Sequence, residues 1–198
     1  MTEFLPLVFT SGWASGVNAY ATVLLLGLLG RFAGIDGIPP ALERTEVLIA
    51  AAALYVIEFV ADKIPYIDSG WDAISTAIRP TVGAILGLLI VGDATSLEQA
   101  IGATIGGSSA LLSHLAKAGM RLAANTSPEP VSNIALSVTE DFSVAGVITL
   151  AVFHPVPALI IAAILLVVSA TLVVILARKV RRGFRRWRQR RSQALASP

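Results

Sequence analysis

The stretch from Glu58 to Pro80, EFVADKIPYIDSGWDAISTAIRP, decides how this chain is read. It places Glu58, Asp62, Lys63, Asp68, Asp72 and Arg79 between two strongly apolar runs. An ionisable group at the edge of hydrocarbon is costly, so its presence marks function or pairing by default. The whole chain agrees with that setting. Its 198 residues are 55% hydrophobic and only 14% charged, with a mean hydropathy of +0.76. Soluble domains carry about 25% charged residues, so the composition excludes an ordinary soluble domain. The length suits one membrane domain of about six helices, at roughly 20 apolar residues per crossing. That leaves no room for a separate soluble domain. Cysteine is absent, which excludes disulfides, thiolate metal sites and cysteine nucleophiles. The N-terminus, MTEFLPLVF, has an acidic residue where a signal peptide has basic ones, so it reads as the start of the first span.

In chain order, spans are expected over about 4–30, 46–62, 71–91, 97–118, 131–153 and 158–177. The fold class is therefore an all-α helical membrane bundle. The first span has 27 uncharged residues in a row, with Pro6 in its first turn. Ser11, Ser15, Asn18 and Thr22 share one of its faces, and Gly12 and Gly16 form a GxxxG pair that lets another helix approach closely. The second span carries Glu58 and Asp62 one turn apart, and Pro65 is expected to stop it. Asp68 or Ser69 is expected to cap the third span, whose first turns align Asp72, Ser75 or Thr76, and Arg79. Gly83 with Gly87, and Gly102 with Gly106, repeat the GxxxG spacing. The fourth span ends with His114, Lys117 and Arg121 on roughly one face. The fifth bears Asn133, Ser137, Glu140 and Asp141, and the sixth is an uncharged, lipid-facing helix. Spans one to three and four to six are loosely alike, which would suit a 3+3 inverted repeat of the kind many transporters use.

Nine of the fifteen basic residues lie between Arg178 and Arg191. With six spans, Lys63, Lys117 and Arg121 fall on the same side as this tail, against Arg31 and Arg44 opposite. The imbalance places both termini in the cytoplasm of a bacterial inner membrane. The segment 179–198 then reads as a disordered or interfacial anchor, with Phe184 and Trp187 dipping among anionic lipid headgroups. No motif in it points to nucleic acid.

At 1.5 Å per residue, Glu58 lies about 7 Å, Arg79 about 10 Å and Glu140 about 14 Å inside their helices. These groups, with His114 and Lys117, are expected to converge on a polar cavity open to the cytoplasm. Five carboxylates (Glu58, Asp62, Asp72, Glu140, Asp141) face the cations Arg79, Lys117 and Arg121. The surplus must carry protons, hold a cation or remain a costly buried charge. Adjacent Glu140 and Asp141 cannot point the same way on a helix, so at most one is expected to face the centre. The candidate binding set is therefore Glu58, Asp62, Asp72, Arg79, His114, Lys117, Arg121, Asn133, Glu140 and Asp141, with Ser15, Asn18 and Ser137 lining the path. His114 reads as a hydrogen-bonding packer more readily than as a ligand, and His154 as a solvated turn residue. No HExxH, GxSxG, phosphate loop or dinucleotide fingerprint occurs, and no cofactor is implied.

Four motifs, SGVNAY (15–20), EFVADKIPYIDSGWDAISTAIRP (58–80), HLAKAGMRLAANTSPEP (114–130) and NIALSVTEDF (133–142), resemble the bacterial family called domain of unknown function 4126. The resemblance covers most of the chain up to about residue 155, and the basic tail departs from it. It implies a multi-pass membrane protein and no particular activity. Three functions stay open: a protein that binds or moves a small solute or ion, a structural or assembly factor pinned by its buried charges, and a metal-dependent enzyme acting on a lipid headgroup. A homo-oligomer held through the GxxxG faces is compatible with each.

Overall fold

The computed structural model describes residues 4–64, 66–125 and 130–196, and every regular element among them is helical. The helices are α1 (Leu5–Val17), α2 (Ala19–Ala33), α3 (Thr45–Ala61), α4 (Ile67–Val91), α5 (Ser96–Ala124), α6 (Pro130–Phe153) and α7 (Pro155–Ala196), with a 3-10 turn at Pro40–Glu43. Among the described residues, three segments are long and apolar enough to cross a membrane: Ile67–Val91, Asn133–Phe153 and Pro155–Lys179. The distribution of polarity is inverted relative to a soluble protein. The largest fully buried side chains include Arg79, Arg121 and Lys117, whereas Ile49, Val56, Ile74 and Val167 are each more than half exposed. Such an apolar exterior around a charged interior fits a lipid surround.

The expected first span is not one helix. It breaks at Asn18, whose backbone is extended (φ −150°, ψ 100°) and ends α1 while starting α2. The Asn18 side chain accepts from the Ala21 N–H at 2.9 Å, a local N-cap for the second half. Gly34, with φ +62°, closes α2 in the left-handed conformation that glycine adopts without strain. Other boundaries also differ from expectation. Helix α4 starts at Ile67 rather than near residue 71, and runs through Pro80. Its N-cap is Tyr66 with no side-chain cap, so neither Asp68 nor Ser69 plays that role. Pro65 lies outside the described residues, and α3 ends before it, at Ala61. Helix α5 continues to Ala124, which brings Lys117 and Arg121 into the bundle instead of leaving them near a loop. It begins with a Thr95–Glu98 capping box. Helix α7 continues unbroken through the basic segment to Ala196.

Helix α1 packs against α4, α5, α6 and α7, and α4 with α5 forms the most extensive pair. Glycines make this closeness sterically feasible. A Cβ at Gly87 would stand 2.7 Å from the Gly102 carbonyl carbon, and one at Gly83 would stand 2.6 Å from the Gly106 carbonyl oxygen. A Cβ at Gly12 or Gly16 would run into the hydroxyl of Ser109 or Ser113 on α5. All three GxxxG pairs are thus occupied within one chain. We predict that Gly87→Ala destabilises the bundle by about 1–3 kcal/mol through overpacking, whereas Gly146→Ala, with open space around it, is neutral or mildly stabilising. Unfolding in mixed micelles measures both, and equal effects would contradict the seam.

Candidate functional site

The charged side chains converge because each helix presents them at helical spacing. Helix α4 supplies Asp68, Asp72 and Arg79, helix α5 supplies His114, Lys117 and Arg121, and helix α6 supplies Asn133, Ser137 and Glu140. All are buried, together with Glu58 of α3 and Asp62 at its C-terminus. The result is an alternating ladder of charge. Asp72 lies 3.1 Å from Arg79 Nη1, and Arg79 Nη2 donates to Glu58 at 2.6 Å. Glu58 faces Lys117 Nζ at 3.4 Å, and Lys117 donates to Asp62 at 2.8 Å. Arg121 donates to Asp62 Oδ2 at 2.9 Å and to Glu140, whose Oε2 also lies 3.4 Å from Lys117.

The break in the first helix belongs to the same assembly. A helix C-terminus leaves its last carbonyls without donors. Here Arg79 donates to the Gly16 carbonyl at 3.3 Å and Lys117 to the Val17 carbonyl at 2.9 Å. The two cations also sit at the negative end of the α1 dipole. Ser15 donates to the Arg79 carbonyl at 3.1 Å, and Ser113 to the Trp13 carbonyl at 2.8 Å. Ser15 and Asn18, expected along a path, therefore act here as inter-helix ties: Asn18 Nδ2 donates to Asp141 at 3.2 Å.

Glu140 and Asp141 divide as helix geometry requires. Glu140 joins the ladder, and Asp141 is half-buried beside the break. His114 packs within the cluster. Arg79 can only donate, so its 2.8 Å contact makes His114 Nδ1 an acceptor and leaves Nε2–H to face the Thr76 hydroxyl at 2.9 Å. Ser137 accepts from Lys63 at 3.1 Å. Lys63 stands in the connection after α3, where burial pulls its ammonium below the ordinary lysine range against the opposing pull of Asp141 and Asp62. His154 is exposed between α6 and α7.

Asp68 is the site residue that sequence reasoning misplaced. It is fully buried and accepts from Asn125 at 3.0 Å and from Asn133 at 3.2 Å, with Arg121 at 3.9 Å. Asn125, in the LAAN segment, was legible only as loop. The five buried carboxylates among the described residues are thus Glu58, Asp62, Asp68, Asp72 and Glu140, against the cations Arg79, Lys117 and Arg121. Glu58 Oε2, Asp62 Oδ1, Asp72 Oδ2 and Glu140 Oε1 are buried without a hydrogen-bond partner. No group of three or more His, Asp or Glu side chains among the described residues is arranged to hold a metal ion. The ladder is closed upon itself, whereas an open polar cavity was expected. A cavity of about 250 Å³ does adjoin it, reaching Lys117 and Glu140 between α1, α5, α6 and α7.

A chain all-helical over its described residues, with membrane-length helices and an internal ladder of ionisable groups, is the class of protein that these features define. The chain belongs to the family described as domain of unknown function (DUF4126), which it matches over residues 5–175. No curated protein and no solved structure matches it.

Removing one rung should expose the cost of the others. Arg121→Met leaves Asp62 and Glu140 short of a cation, and we expect it to cost about 3–5 kcal/mol, as breaking buried pairs does. Adding Glu140→Gln should recover part of that loss. A double-mutant cycle on unfolding free energies checks this, and strictly additive effects would contradict the coupling.

Proposed function

We propose that this chain is a six-crossing inner-membrane protein that binds a small solute or ion at the ladder and moves it, with the surplus carboxylates carrying protons or a cation. The observation that supports this reading is the imbalance of five buried carboxylates against three buried cations. Leaving two net negative charges in a dry interior is costly. Protons or a bound cation would neutralise them, and the partnerless oxygens of Glu58, Asp62, Asp72 and Glu140 are the places for either. Access requires the ladder to open, and the broken α1–α2 crossing is the element whose ends the ladder holds.

The six crossings in this reading are α1 with α2 as one broken crossing, then α3, α4, α5, α6 and α7. At 13 and 15 residues, α1 and α2 span about 20 and 22 Å, each short of the roughly 30 Å hydrocarbon core. Both termini are assigned to the cytoplasm. Since Lys117 and Arg121 are buried, this orientation rests on Lys63 and the nine basic residues of 178–191 against Arg31 and Arg44. The basic end of α7 would meet anionic headgroups there. A 3+3 inverted repeat would have to accommodate a break in the first crossing beside an unbroken α5.

A structural role is the second reading, favoured by one observation: Arg79 and Lys117 each tie α3 to the broken end of α1. Two measurements separate the readings. In proteoliposomes with an imposed potential and an internal pH dye, the transport reading expects proton entry above that of empty vesicles, lost in Asp72→Asn while the folded fraction is kept. Thermal stability across pH and a panel of cations, anions and phospholipids should show a ligand that stabilises wild type and not Glu58→Gln. No flux and no stabilising ligand, with Glu58→Gln merely less stable, would sink the transport reading in favour of the structural one.

A further inference from the structure

Asp72 differs from the other buried carboxylates of the described residues in receiving no hydrogen bond. Glu58 accepts from Arg79 at 2.6 Å, Asp62 from Lys117 at 2.8 Å, Asp68 from Asn125 at 3.0 Å, and Glu140 from Arg121. Both oxygens of Asp72 are without a hydrogen-bond partner, although the residue is only 3% exposed. Neighbouring Arg79 does not supply one. Its Nη1 lies 3.1 Å from Asp72 Oδ1, but the two N–H groups on that nitrogen point elsewhere, to the Gly16 carbonyl at 3.3 Å and to His114 Nδ1 at 2.8 Å. Nη2 donates to Glu58. The other charges that reach Asp72 are Lys117 and Arg121 of α5 and Asp62 of α3, and the uncharged segment 4–30 adds none. Both of those cations are bonded to other carboxylates. With Asp72 set aside, four buried carboxylates already outnumber three buried cations, so ionising Asp72 would raise the excess from one to two.

Resting on the reading of the ladder as a proton carrier, we propose that Asp72 holds the transported proton, as a neutral acid in the closed ladder. His114 is the positioning residue that keeps it so, by occupying an Arg79 N–H that would otherwise serve Asp72. A neutral carboxyl left without a partner costs far less than an orphaned ion. A proton also suits this place better than a cation, because a guanidinium nitrogen already stands 3.1 Å from one of the oxygens. Release follows from the same hydrogen bonds. When the end of α1 moves off Arg79, the N–H freed from the Gly16 carbonyl turns to Asp72 Oδ1. The Asp72 O–H bond then breaks, its proton passes to water in the opened ladder, and the electron pair stays on a carboxylate now paired with Arg79. One guanidinium thereby ties proton binding to the broken crossing.

Infrared absorption of the full-length protein in lipid membranes near neutral pH tests this, because the C=O stretch of an un-ionised carboxyl is well separated from the stretches of a carboxylate. Wild type is expected to show that band. Aspartate labelled with heavy carbon in its side-chain carboxyl should displace it, and glutamate labelled in the same way should not. Asp72→Asn should remove it. His114→Leu frees one Arg79 N–H, with Asp72 Oδ1 3.1 Å from that nitrogen to take it, so the band should fall as it does in Asp72→Asn. His114→Asn keeps an acceptor for Arg79 and should keep the band, whereas a role for His114 in packing alone would move stability and leave the band in every His114 variant. The label is read in wild type, which keeps the test decisive if a variant does not fold. A band that is missing from wild type, that labelled aspartate leaves in place, that stays undiminished in Asp72→Asn or His114→Leu, or that is lost from His114→Asn overturns the proposal. Because the spectrum reads where a proton rests and not flux, a missing band beside intact proton entry removes this assignment alone. The expected bands without proton entry uphold Asp72 as a resting acid and remove the transport reading.

Discussion

An ionised side chain taken out of water must be met by opposite charge or by a hydrogen-bond partner, and the interior of this protein is organised by that demand. Desolvating such an ion costs several kcal/mol even after relaxation. The ladder from Asp72 through Arg79, Glu58, Lys117, Asp62 and Arg121 to Glu140 meets the demand by alternation, so that each cation touches more than one carboxylate. The rungs come from α3, α4, α5 and α6, and the backbone of α1 completes them. None of α3, α4, α5 and α6 can turn about its axis without stranding a charge. Register is thereby set by electrostatics where a soluble core would set it by the fit of apolar side chains.

The glycine seams are the steric counterpart. An Arg79–Gly16 contact of 3.3 Å and a Lys117–Val17 contact of 2.9 Å require α4 and α5 to lie close against α1. Of the three membrane-length helices, the last is the most lightly packed. Helix α7 has only 6% of its apolar window buried, so lipid, and not protein, is the natural partner of its surface. The cavity against α1, α5 and α6 lies on the inner side of that same helix.

Much of this was legible in the sequence because charges in an apolar run are conspicuous and helical spacing fixes their faces. His114, Lys117 and Arg121 share a face at i, i+3 and i+7, Asn133, Ser137 and Glu140 do so at i, i+4 and i+7, and all six are buried. The break at Asn18 was not legible. SGVNAY contains no proline, and the break is held by Arg79 and Lys117, which are 61 and 99 residues away in the chain. Asp68 was misread for a related reason. A carboxylate ahead of an apolar run looks like a cap, and only the folded bundle brings Asn125 and Asn133 to it. The Thr95–Glu98 capping box, by contrast, is plainly written as T-S-L-E.

The same break bears on the order in which the molecule can be made. A chain emerging from its N-terminus produces the Gly16 and Val17 carbonyls long before Arg79, and longer before Lys117. Until those side chains arrive, the end of α1 has no donors to replace water, so an extended Asn18 has little to hold it in hydrocarbon. The nascent segment 4–30, uncharged throughout, is best satisfied as one continuous helix. Its division in two is then a late event, imposed when the fifth helix docks, and the earliest part of the protein to be synthesised is among the last to reach its final shape.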